Sequence, residues 1–383
     1  MNNKIIYFDN NATTRTDDRV VEAMLPYFSS YYANPSSLHS LGQTVKQIVE
    51  TSRSKISSYL SSKPEEIIFT SGATEAINLA IKGIVETYSN KGRHIITSQT
   101  EHSAVLDVCK YLESRGFEID YLRVSKEGLI DLTQLENQIR TDTILVAIMY
   151  VNNETGVVQP IAKIAEICNL NKVLFFTDAT QAVGKLPINT SNCKIDLLCF
   201  SGHKFYGPKG IGGLYCKRNI KLNPLLHGGG HENGLRSGTL NVPGIVGLSK
   251  AFEIAHDEMQ TNKEFIQSLR DKFERIILSQ YNVKLNGHPK NRLYNVSNMS
   301  FKDIDPLLMI SSLNDIAFSQ GSACSSSSIK PSHVLTSMGV SYEEAFSSFR
   351  FSFGKYNSES EVDSVLSQLG KILKQKEKSN TII

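Results

Sequence analysis

Asp178, Lys204 and Cys324 have side chains that can take part in covalent and proton-transfer chemistry, and each stands beside small or polar residues. Asp178 follows the apolar run 173–177, and Lys204 comes shortly after the apolar run 195–200. Runs that are apolar on both faces are typical of buried parallel strands. Ligands bind at the carboxyl ends of such strands. We therefore expect Asp178 and Lys204 to share one site.

A lysine among apolar neighbours, with Phe205 directly after it, can act as a nucleophile and form a Schiff base. A carboxylate across the site suits a pyridinium nitrogen, because it keeps that nitrogen protonated and lets the ring accept electrons. A solvated surface lysine and an aspartate that caps a helix are the alternative interpretations. The two residues together favour a pyridine-type cofactor.

The segments 178–185 (DATQAVGK) and 201–213 (SGHKFYGPKGIGG) resemble the cofactor site of the pyridoxal-phosphate-dependent cysteine desulfurases, which include the nitrogen-fixation and iron–sulfur-cluster enzymes. The resemblance implies that Lys204 holds pyridoxal 5'-phosphate covalently, that Asp178 pairs with its ring nitrogen, and that Gln181 bonds its ring hydroxyl. It also implies an α/β fold of the aminotransferase-like fold type I, with a large mixed, mostly parallel sheet domain and a smaller α+β domain.

The turn at 71–75 (SGATE) joins a predicted strand at 66–70 to a predicted helix. Free amides at a helix start, together with the positive end of the helix dipole, can bind a phosphate. A plain helix cap is the simpler interpretation of such a turn. Because SGATE resembles the phosphate-binding turn of the family, the resemblance implies that Ala73 and Thr74 contact the cofactor phosphate.

Three further phosphate ligands are implied by the resemblance. Ser201 and His203 stand on either side of Gly202 in the lysine segment. Thr239 lies in the stretch GGGHE…RSGT and would reach the phosphate in the other subunit's site, so that a homodimer forms the active site. We do not expect a metal in this stretch, because its glycines leave a flexible loop without a third ligand in register.

His102, Asn153 and Arg350 complete the set of site residues that the resemblance implies. His102 follows the predicted strand 94–98, and a single histidine in a turn is more often a surface residue than a catalytic one. The match of TEHSAV to the family implies that this imidazole stacks on the ring and handles protons. Asn153 would contact cofactor or substrate carboxylate, and Arg350 in RFS would bind the substrate α-carboxylate through its planar fork.

Small polar residues surround Cys324, and they predict an exposed, mobile loop over 319–332. A tolerated surface cysteine is the alternative. The loop resembles the GSAC segment of the long-loop desulfurases, which implies that Cys324 attacks the substrate sulfur and keeps it as a persulfide. Of the other five cysteines, four lie in apolar patterns typical of core residues: Cys109, Cys168, Cys199 and Cys216.

With 383 residues and 40% hydrophobic content, the chain is long enough for two globular domains. We assign 15–255 to a large cofactor-binding domain, and 1–14 with 256–383 to a small domain that carries the cysteine loop. A helical pattern over 246–278 connects them. A net charge of +3, with scattered Lys and Arg, argues against nucleic acid as a partner. Because no run approaches the ~20 apolar residues of a membrane helix, we expect a cytoplasmic protein.

The sequence thus predicts an enzyme that converts L-cysteine to L-alanine and passes the sulfur through Cys324 to an acceptor protein such as an iron–sulfur scaffold. Lys204 and His102 are the other predicted catalytic residues. A nitrogenase pathway, a general iron–sulfur pathway and tRNA thiolation all remain open as the destination of the sulfur. A selenocysteine lyase or an aminotransferase of the same fold would not require Cys324. A non-enzymatic assembly platform is disfavoured, because Lys204, Asp178, His102 and Cys324 are all intact.

Overall fold

The computed structural model describes residues 5–302, 304–320 and 330–380, so Cys324 lies outside the described residues. The strands of the described part are β1 (Ile6–Tyr7), β2 (Ile67–Thr70), β3 (His94–Ser98), β4 (Glu118–Leu122), β5 (Thr143–Ala147), β6 (Leu174–Asp178), β7 (Leu197–Ser201), β8 (Gly212–Cys216), β9 (Val283–Asn286), β10 (Val296–Phe301), β11 (Ile316–Ala317), β12 (Ser319–Gln320) and β13 (Ser348–Ser352). Its helices are α1 (Asp18–Met24), α2 (Pro26–Ser29), α3 (Ser40–Tyr59), α4 (Ala73–Tyr88), α5 (Ser103–Glu113), α6 (Leu132–Gln138), α7 (Ile161–Leu170), α8 (Val242–Asp257), α9 (Met259–Gln280), α10 (Pro306–Ser312), α11 (His333–Ser337), α12 (Tyr342–Phe346) and α13 (Glu359–Asn380).

The large sheet has the strand order β2-β8-β7-β6-β5-β3-β4, and only its β8 pairings are antiparallel. Its central strands are apolar on both faces because helices cover both sides. Phe175 and Leu198 pack in one core with α3, α7 and α8, whereas Phe176 and Leu197 pack in the other with α4 and α5. The predicted mostly parallel mixed sheet is confirmed.

A second, antiparallel sheet has the order β12-β13-β10-β9, and β1 pairs with β11 in parallel beside it. Its core is rich in aromatic residues, and Phe273 of α9 lies 4.9 Å from Phe351 of β13 between ring centroids. Phe8 of the N-terminal segment packs in the same core, 4.7 Å from Phe353. The segment that contains Phe8 is thus packed against the last third of the chain.

The single helical pattern predicted over 246–278 is wrong in one respect, because α8 and α9 are two helices that meet at Glu258. Glu258 forms ion pairs with Arg19 at 2.7 Å and with Lys355 at 3.2 Å. The break lets α8 pack on α1 and α3, while α9 packs on β9, β10 and α13. The spacing of hydrophobic residues did not reveal this break, because the chain changes direction at a polar residue, which does not interrupt the hydrophobic pattern.

The predicted loop over 319–332 is also shorter than expected at both ends. Ser319 and Gln320 form β12 and pair with β13. Ser332 is buried, and its hydroxyl caps the first amides of α11. Cys109, Cys168, Cys199 and Cys216 are buried, as predicted. In the described ranges, no helix combines the length and apolar character needed to cross a membrane.

Candidate active site

A cavity of about 550 Å³ opens at the carboxyl ends of the large sheet's strands. Its wall includes ten of the residues predicted from the sequence: Ala73, Thr74, His102, Asn153, Asp178, Gln181, Ser201, His203, Lys204 and Arg350. Arg350 comes from β13, so the cavity lies between the two sheets. Side chains that are up to 277 positions apart in the chain (350 minus 73) therefore face one space.

Asp178 is the last residue of β6, and only 7% of its surface is exposed. Its Oδ1 atom accepts hydrogen bonds from the Thr180 backbone N–H at 2.9 Å and from Cys199 Sγ at 3.4 Å. Burial, together with the Asp178 charge, raises the pKa of Cys199 well above its usual value, so this thiol stays protonated and donates. Asp178 therefore makes the local capping hydrogen bond with the Thr180 backbone and also lines the cavity.

Lys204 ends a short 3-10 turn directly after β7. Its Nζ atom donates to the carbonyl oxygens of Asn11, at 2.9 Å, and Ala12, at 2.7 Å. No chemistry was predicted for the N-terminal segment, yet its backbone holds the amine at the cavity. The sequence signal at this point is the Asx-rich turn of residues 7–14 (YFDNNATT), which contains an apolar pair followed by Asp and Asn residues.

The start of α4 is suited to binding an anion. Gly72 precedes the helix with φ +154°, and no side chain of the described residues caps the helix. A Cβ atom on Gly212 of β8 would lie 2.4 Å from the Phe200 carbonyl oxygen and 2.8 Å from Gly72 Cα, so a side chain there would displace the turn. Uncapped amides and the helix dipole favour a negative group at this position.

His203 lies on the same side of the cavity, and its Nδ1 atom is 3.0 Å from Thr13 Oγ1. Burial, together with the charges of Lys204 and Lys209, lowers the pKa of His203 to about 4. The imidazole is therefore neutral near pH 7, and the positive charge on this side of the cavity comes from the lysines.

His102 is the N-cap of α5, and its Nδ1 atom accepts from the Ala104 backbone N–H at 3.1 Å. Since Nδ1 acts as an acceptor, the neutral ring carries its proton on Nε2. This local contact fixes both the position of the ring and its tautomer at the cavity wall.

Arg350 is 98% buried, with 2% of its surface exposed, and its guanidinium group is held by three residues. Nη1 donates to the Asn153 carbonyl at 3.0 Å, and Nη2 donates to Asp9 Oδ1 at 2.7 Å and to Ser319 Oγ at 3.0 Å. Within the described residues its Nε–H has no partner. Asp9, which the sequence analysis did not single out, positions this arginine from the N-terminal segment.

Thr239 and Cys324 are not among the described residues that line the cavity. Thr239 is exposed on the surface of the chain. Arg236, three positions before it, pairs with Glu75 of α4 at 2.8 Å, which ties this segment to the anion-binding turn. Cys324 lies outside the described residues.

The segment with His231 and Glu232 has an ion pair instead of a metal cluster. Glu232 accepts from Arg53 Nη2 at 2.7 Å and from the Phe69 backbone N–H at 2.7 Å. Across residues 5–302, 304–320 and 330–380, no group of three His, Cys, Asp or Glu side chains could hold a metal ion.

Glu101, for which no role was predicted, is a buried acid beside the site. Its Oε1 atom accepts from the Met149 N–H at 2.8 Å and from Ser98 Oγ at 3.0 Å, and Oε2 has no partner in the described ranges. Burial, and to a smaller extent the charge of Asp178, raises its pKa to about 8. At pH 7 the protonated form therefore predominates.

We expect Glu101→Gln to become more stable relative to the wild type as the pH rises from 5 to 8. The folded-state pKa of about 8 lies above the ordinary glutamate pKa of 4.5, so in this range the folded chain keeps a proton that the unfolded chain has released. This linkage lowers the free energy of unfolding of the wild type by up to about 1.4 kcal/mol per pH unit. Urea unfolding at several pH values measures the difference, with the exposed Glu22→Gln as control. A difference that does not change with pH would contradict the prediction.

Comparisons with known proteins identify the family of the chain. Residues 6–365 match the family described as aminotransferase class-V. The chain is 47% identical to cysteine desulfurase IscS of Methanosarcina thermophila, over 97% of this chain and 93% of that protein. It is 49% identical to cysteine desulfurase IscS of Histophilus somni (strain 2336), over 94% of this chain and 90% of that protein.

Two solved structures share the fold over nearly the whole length. A NifS-like protein superposes with a TM-score of 0.91 at 40% identity, covering 97% of this chain and 99% of that one. The structure titled SspA in complex with cysteine superposes with a TM-score of 0.83 at 40% identity, covering 92% and 100%. The chain therefore belongs to the class-V aminotransferase family and, within it, to the cysteine desulfurases.

Proposed function

We propose that this protein binds pyridoxal 5'-phosphate, converts L-cysteine to L-alanine, and transfers the sulfur to Cys324 for delivery to an acceptor protein. The observation that carries the proposal is the convergence of Lys204, Asp178 and Arg350 on one cavity in a chain of this family. The three side chains supply an amine, a carboxylate and a buried guanidinium, each of which has a partner group in the cofactor or the amino-acid substrate.

The residues present fit pyridoxal phosphate. Lys204 would bind it covalently, and Asp178 would pair with its ring nitrogen. The uncapped start of α4 is the natural place for the phosphate, since it leaves amides for an anion. The remaining contacts are proposed for His102 and Gln181 with the ring, and for Ala73, Thr74, Ser201 and His203 with the phosphate, all of which line the cavity. When bound, the cofactor supplies an electron sink for the substrate Cα.

The protein's own groups then bind the substrate and move protons. Arg350 orients the amino acid through its α-carboxylate, since it is held by Asp9 and Asn153 and keeps an Nε–H without a partner in the described part of the chain. Asn153 lies beside it. Lys204 moves the Cα proton, and His102 is placed to handle a second proton through Nε2.

Sulfur transfer requires a thiolate on the protein. We propose that Cys324 attacks the substrate sulfur, so that the S–S bond of a persulfide forms while the substrate Cβ–S bond breaks. The carbon fragment takes up protons and leaves as alanine. The sulfur remains on Cys324 until an acceptor, such as an iron–sulfur scaffold, accepts it. The expected cytoplasmic location stays a prediction from the sequence, as does the expected absence of nucleic acid and membrane partners. The sequence leaves the identity of the acceptor open.

We further propose that the active form is a homodimer. Large apolar side chains between 21 and 38 are exposed on the single chain, among them Phe28 (63%), Tyr32 (71%) and Leu38 (90%). A contiguous set of exposed apolar residues favours association with another protein surface. Thr239 is exposed outside the cavity of its own chain, where it could serve a second copy. An active monomer in sedimentation experiments would contradict this part of the proposal.

The function is tested by incubating the purified protein with pyridoxal phosphate, L-cysteine and a thiol reductant. We expect alanine and sulfide in equal amounts over many turnovers, and a visible spectrum that changes when cysteine is added. Keto acids as amino acceptors, and selenocysteine in place of cysteine, separate this activity from an aminotransferase and from a selenocysteine lyase. A cofactor-bound protein that is inactive with cysteine, with selenocysteine and with keto acids would leave only the assembly-platform alternative.

A further inference from the structure

Lys185 is a buried lysine directly behind the cavity wall. Only 7% of its surface is exposed, and its Nζ atom donates to the Gln181 side-chain oxygen at 2.9 Å and to the Gln181 carbonyl at 3.3 Å. In the described ranges it forms no ion pair with a carboxylate. A buried ammonium without a counter-ion is costly, so its position calls for a reason beyond packing.

The contact with Lys185 fixes the orientation of the Gln181 amide. Lys185 occupies the amide oxygen, while the amide nitrogen donates to the Asn11 carbonyl at 2.9 Å. A charged lysine can only donate and a carbonyl can only accept, so the two partners exclude the flipped amide. One N–H of Gln181 Nε2 remains for a ligand, and Gln181 lines the cavity.

The same hydrogen bonds connect Lys185 to Lys204. The Asn11 carbonyl that accepts from Gln181 Nε2 also accepts from Lys204 Nζ at 2.9 Å. The order of the network is therefore Lys185, Gln181, Asn11 and Lys204. A cation that donates to the Gln181 amide oxygen polarises the amide and so strengthens its N–H as a donor.

The charged groups around Lys185 do not neutralise it. Lys204 and Arg350 act on it with charges of the same sign, and after burial they are the further causes that lower its pKa to about 7. A cavity of about 20 Å³ on its other side is lined by Asp17, Lys355, Tyr206 and Tyr294. Asp17 in that cavity is paired with Arg19 at 2.8 Å and with Lys355 at 2.5 Å.

We propose that Lys185 is a positioning residue for the cofactor: it holds the Gln181 amide with one N–H toward the ring oxygen, and its positive charge stabilises negative charge on that oxygen. This inference rests on the proposed function, because it requires pyridoxal phosphate in the cavity. It extends that function to a residue that does not line the large cavity. A bound anionic ring and phosphate would also favour the charged form of Lys185.

The first test measures the binding of the cofactor and the pH midpoint of its visible band, and it does not depend on turnover. Pyridoxal phosphate is added to apoprotein of the wild type, Lys185→Met and Lys185→Arg, and the visible band is followed from pH 6 to 10. We expect Lys185→Met to bind about tenfold more weakly and to shift the pH midpoint of the band upward by ~0.5 to 1 unit, because loss of a nearby positive charge favours protonation. Lys185→Arg, which keeps charge and donors, should restore most of the midpoint.

Lys355→Met is the matched control, since Lys355 lines the same small cavity but pairs with Asp17 and Glu258 instead of Gln181. Its midpoint should equal that of the wild type even if its stability falls. Equal midpoints in Lys185→Met and wild type would overturn the inference, as would equal shifts in the two methionine variants. If the wild type itself binds no cofactor, the proposed function fails instead.

A second readout needs no cofactor. In the apoprotein the folded-state pKa of Lys185, about 7, lies below the ordinary lysine pKa of 10.5. Below pH 7 both the folded and the unfolded chain carry the proton on Lys185. Between pH 7 and 10.5 only the unfolded chain keeps it. The stability of the wild type relative to Lys185→Met should therefore rise with pH in this range. The ratio of their unfolding constants should change by up to about tenfold per pH unit. A constant ratio from pH 7 to 9 would show that the folded and unfolded chains hold this proton equally well, and it would contradict the buried, unpaired environment assigned to Lys185. If Lys185→Met does not fold, Lys185→Gln serves in both experiments.

Discussion

Cys324→Ala is expected to abolish sulfur transfer while cofactor binding and the spectral response to cysteine stay intact. An alanine side chain offers no nucleophile, and water cannot match the effective concentration of a positioned thiolate. We expect alanine formation to fall on the order of 10³-fold or more. Turnover and absorbance spectra measure the two effects on the same sample, and mass spectrometry of the cysteine-treated wild type should find one added sulfur on the Cys324 peptide.

Burial makes most of the other cysteines poor alternatives. It raises the pKa of Cys109 and Cys216 to about 12, and it raises the pKa of Cys168 further still. Since the thiolate is the nucleophile, these thiols are inactive near neutral pH. Cys193 is half-buried, so Cys193→Ala is the matched control and should keep near-normal turnover. A persulfide on a cysteine other than Cys324, or near-normal activity of Cys324→Ala, would overturn the mechanism and leave the cofactor site standing.

Lys204→Ala is expected to remove the covalent attachment of pyridoxal phosphate together with turnover. The amine that would attach the cofactor also moves the Cα proton, so its loss affects both steps, and we expect at least a ~10³-fold fall in alanine formation. Borohydride reduction followed by peptide mass analysis measures the attachment. In the wild type the reduced cofactor should be found on the peptide that contains Lys204.

Lys204→Arg is the control for charge. Arginine keeps a cation and donors for the Asn11 and Ala12 carbonyls, which accept from Lys204 Nζ, but its guanidinium does not form the covalent link. We expect this variant to fold like the wild type and to remain inactive. If borohydride still fixed the cofactor to the corresponding peptide of Lys204→Ala, another nucleophile would be responsible and the assignment of Lys204 would be wrong.

Some of the site follows from local sequence. An apolar run followed by Asp178, and another followed by Lys204, predict two buried strands with polar ends, and β6 and β7 are adjacent in the sheet. His102 is predictable in the same way, since it directly follows a strand and turn and starts α5. These predictions succeed because the carboxyl ends of neighbouring parallel strands lie at one edge of a sheet. The resemblance then adds roles that strand patterns do not contain.

Two cases show the limits of prediction from local sequence patterns: the position of Thr239, and the extent of the loop predicted around Cys324. The RSGT segment does not reveal that Thr239 is exposed on its own chain, outside the cavity. The run of small polar residues around Cys324 predicted a loop from 319, yet Ser319 is paired in β12 and contacts Arg350. Pairing with a distant strand overrides local preference, because it satisfies backbone hydrogen bonds that a loop leaves to solvent.

The sequence by itself therefore determined the fold class, the family and ten of the residues that line the cavity. Only the tertiary structure decided what holds them. Asp9 meets Arg350 across 341 positions, and the Asn11 carbonyl meets Lys204 across 193. The acid of Glu101 and the amine of Lys185 have shifted pKa values because they are buried, and burial depends on the packing of elements that are far apart in the chain. Hydrophobic patterns predict which segments are buried, but they do not predict which polar group is left without a counter-charge inside.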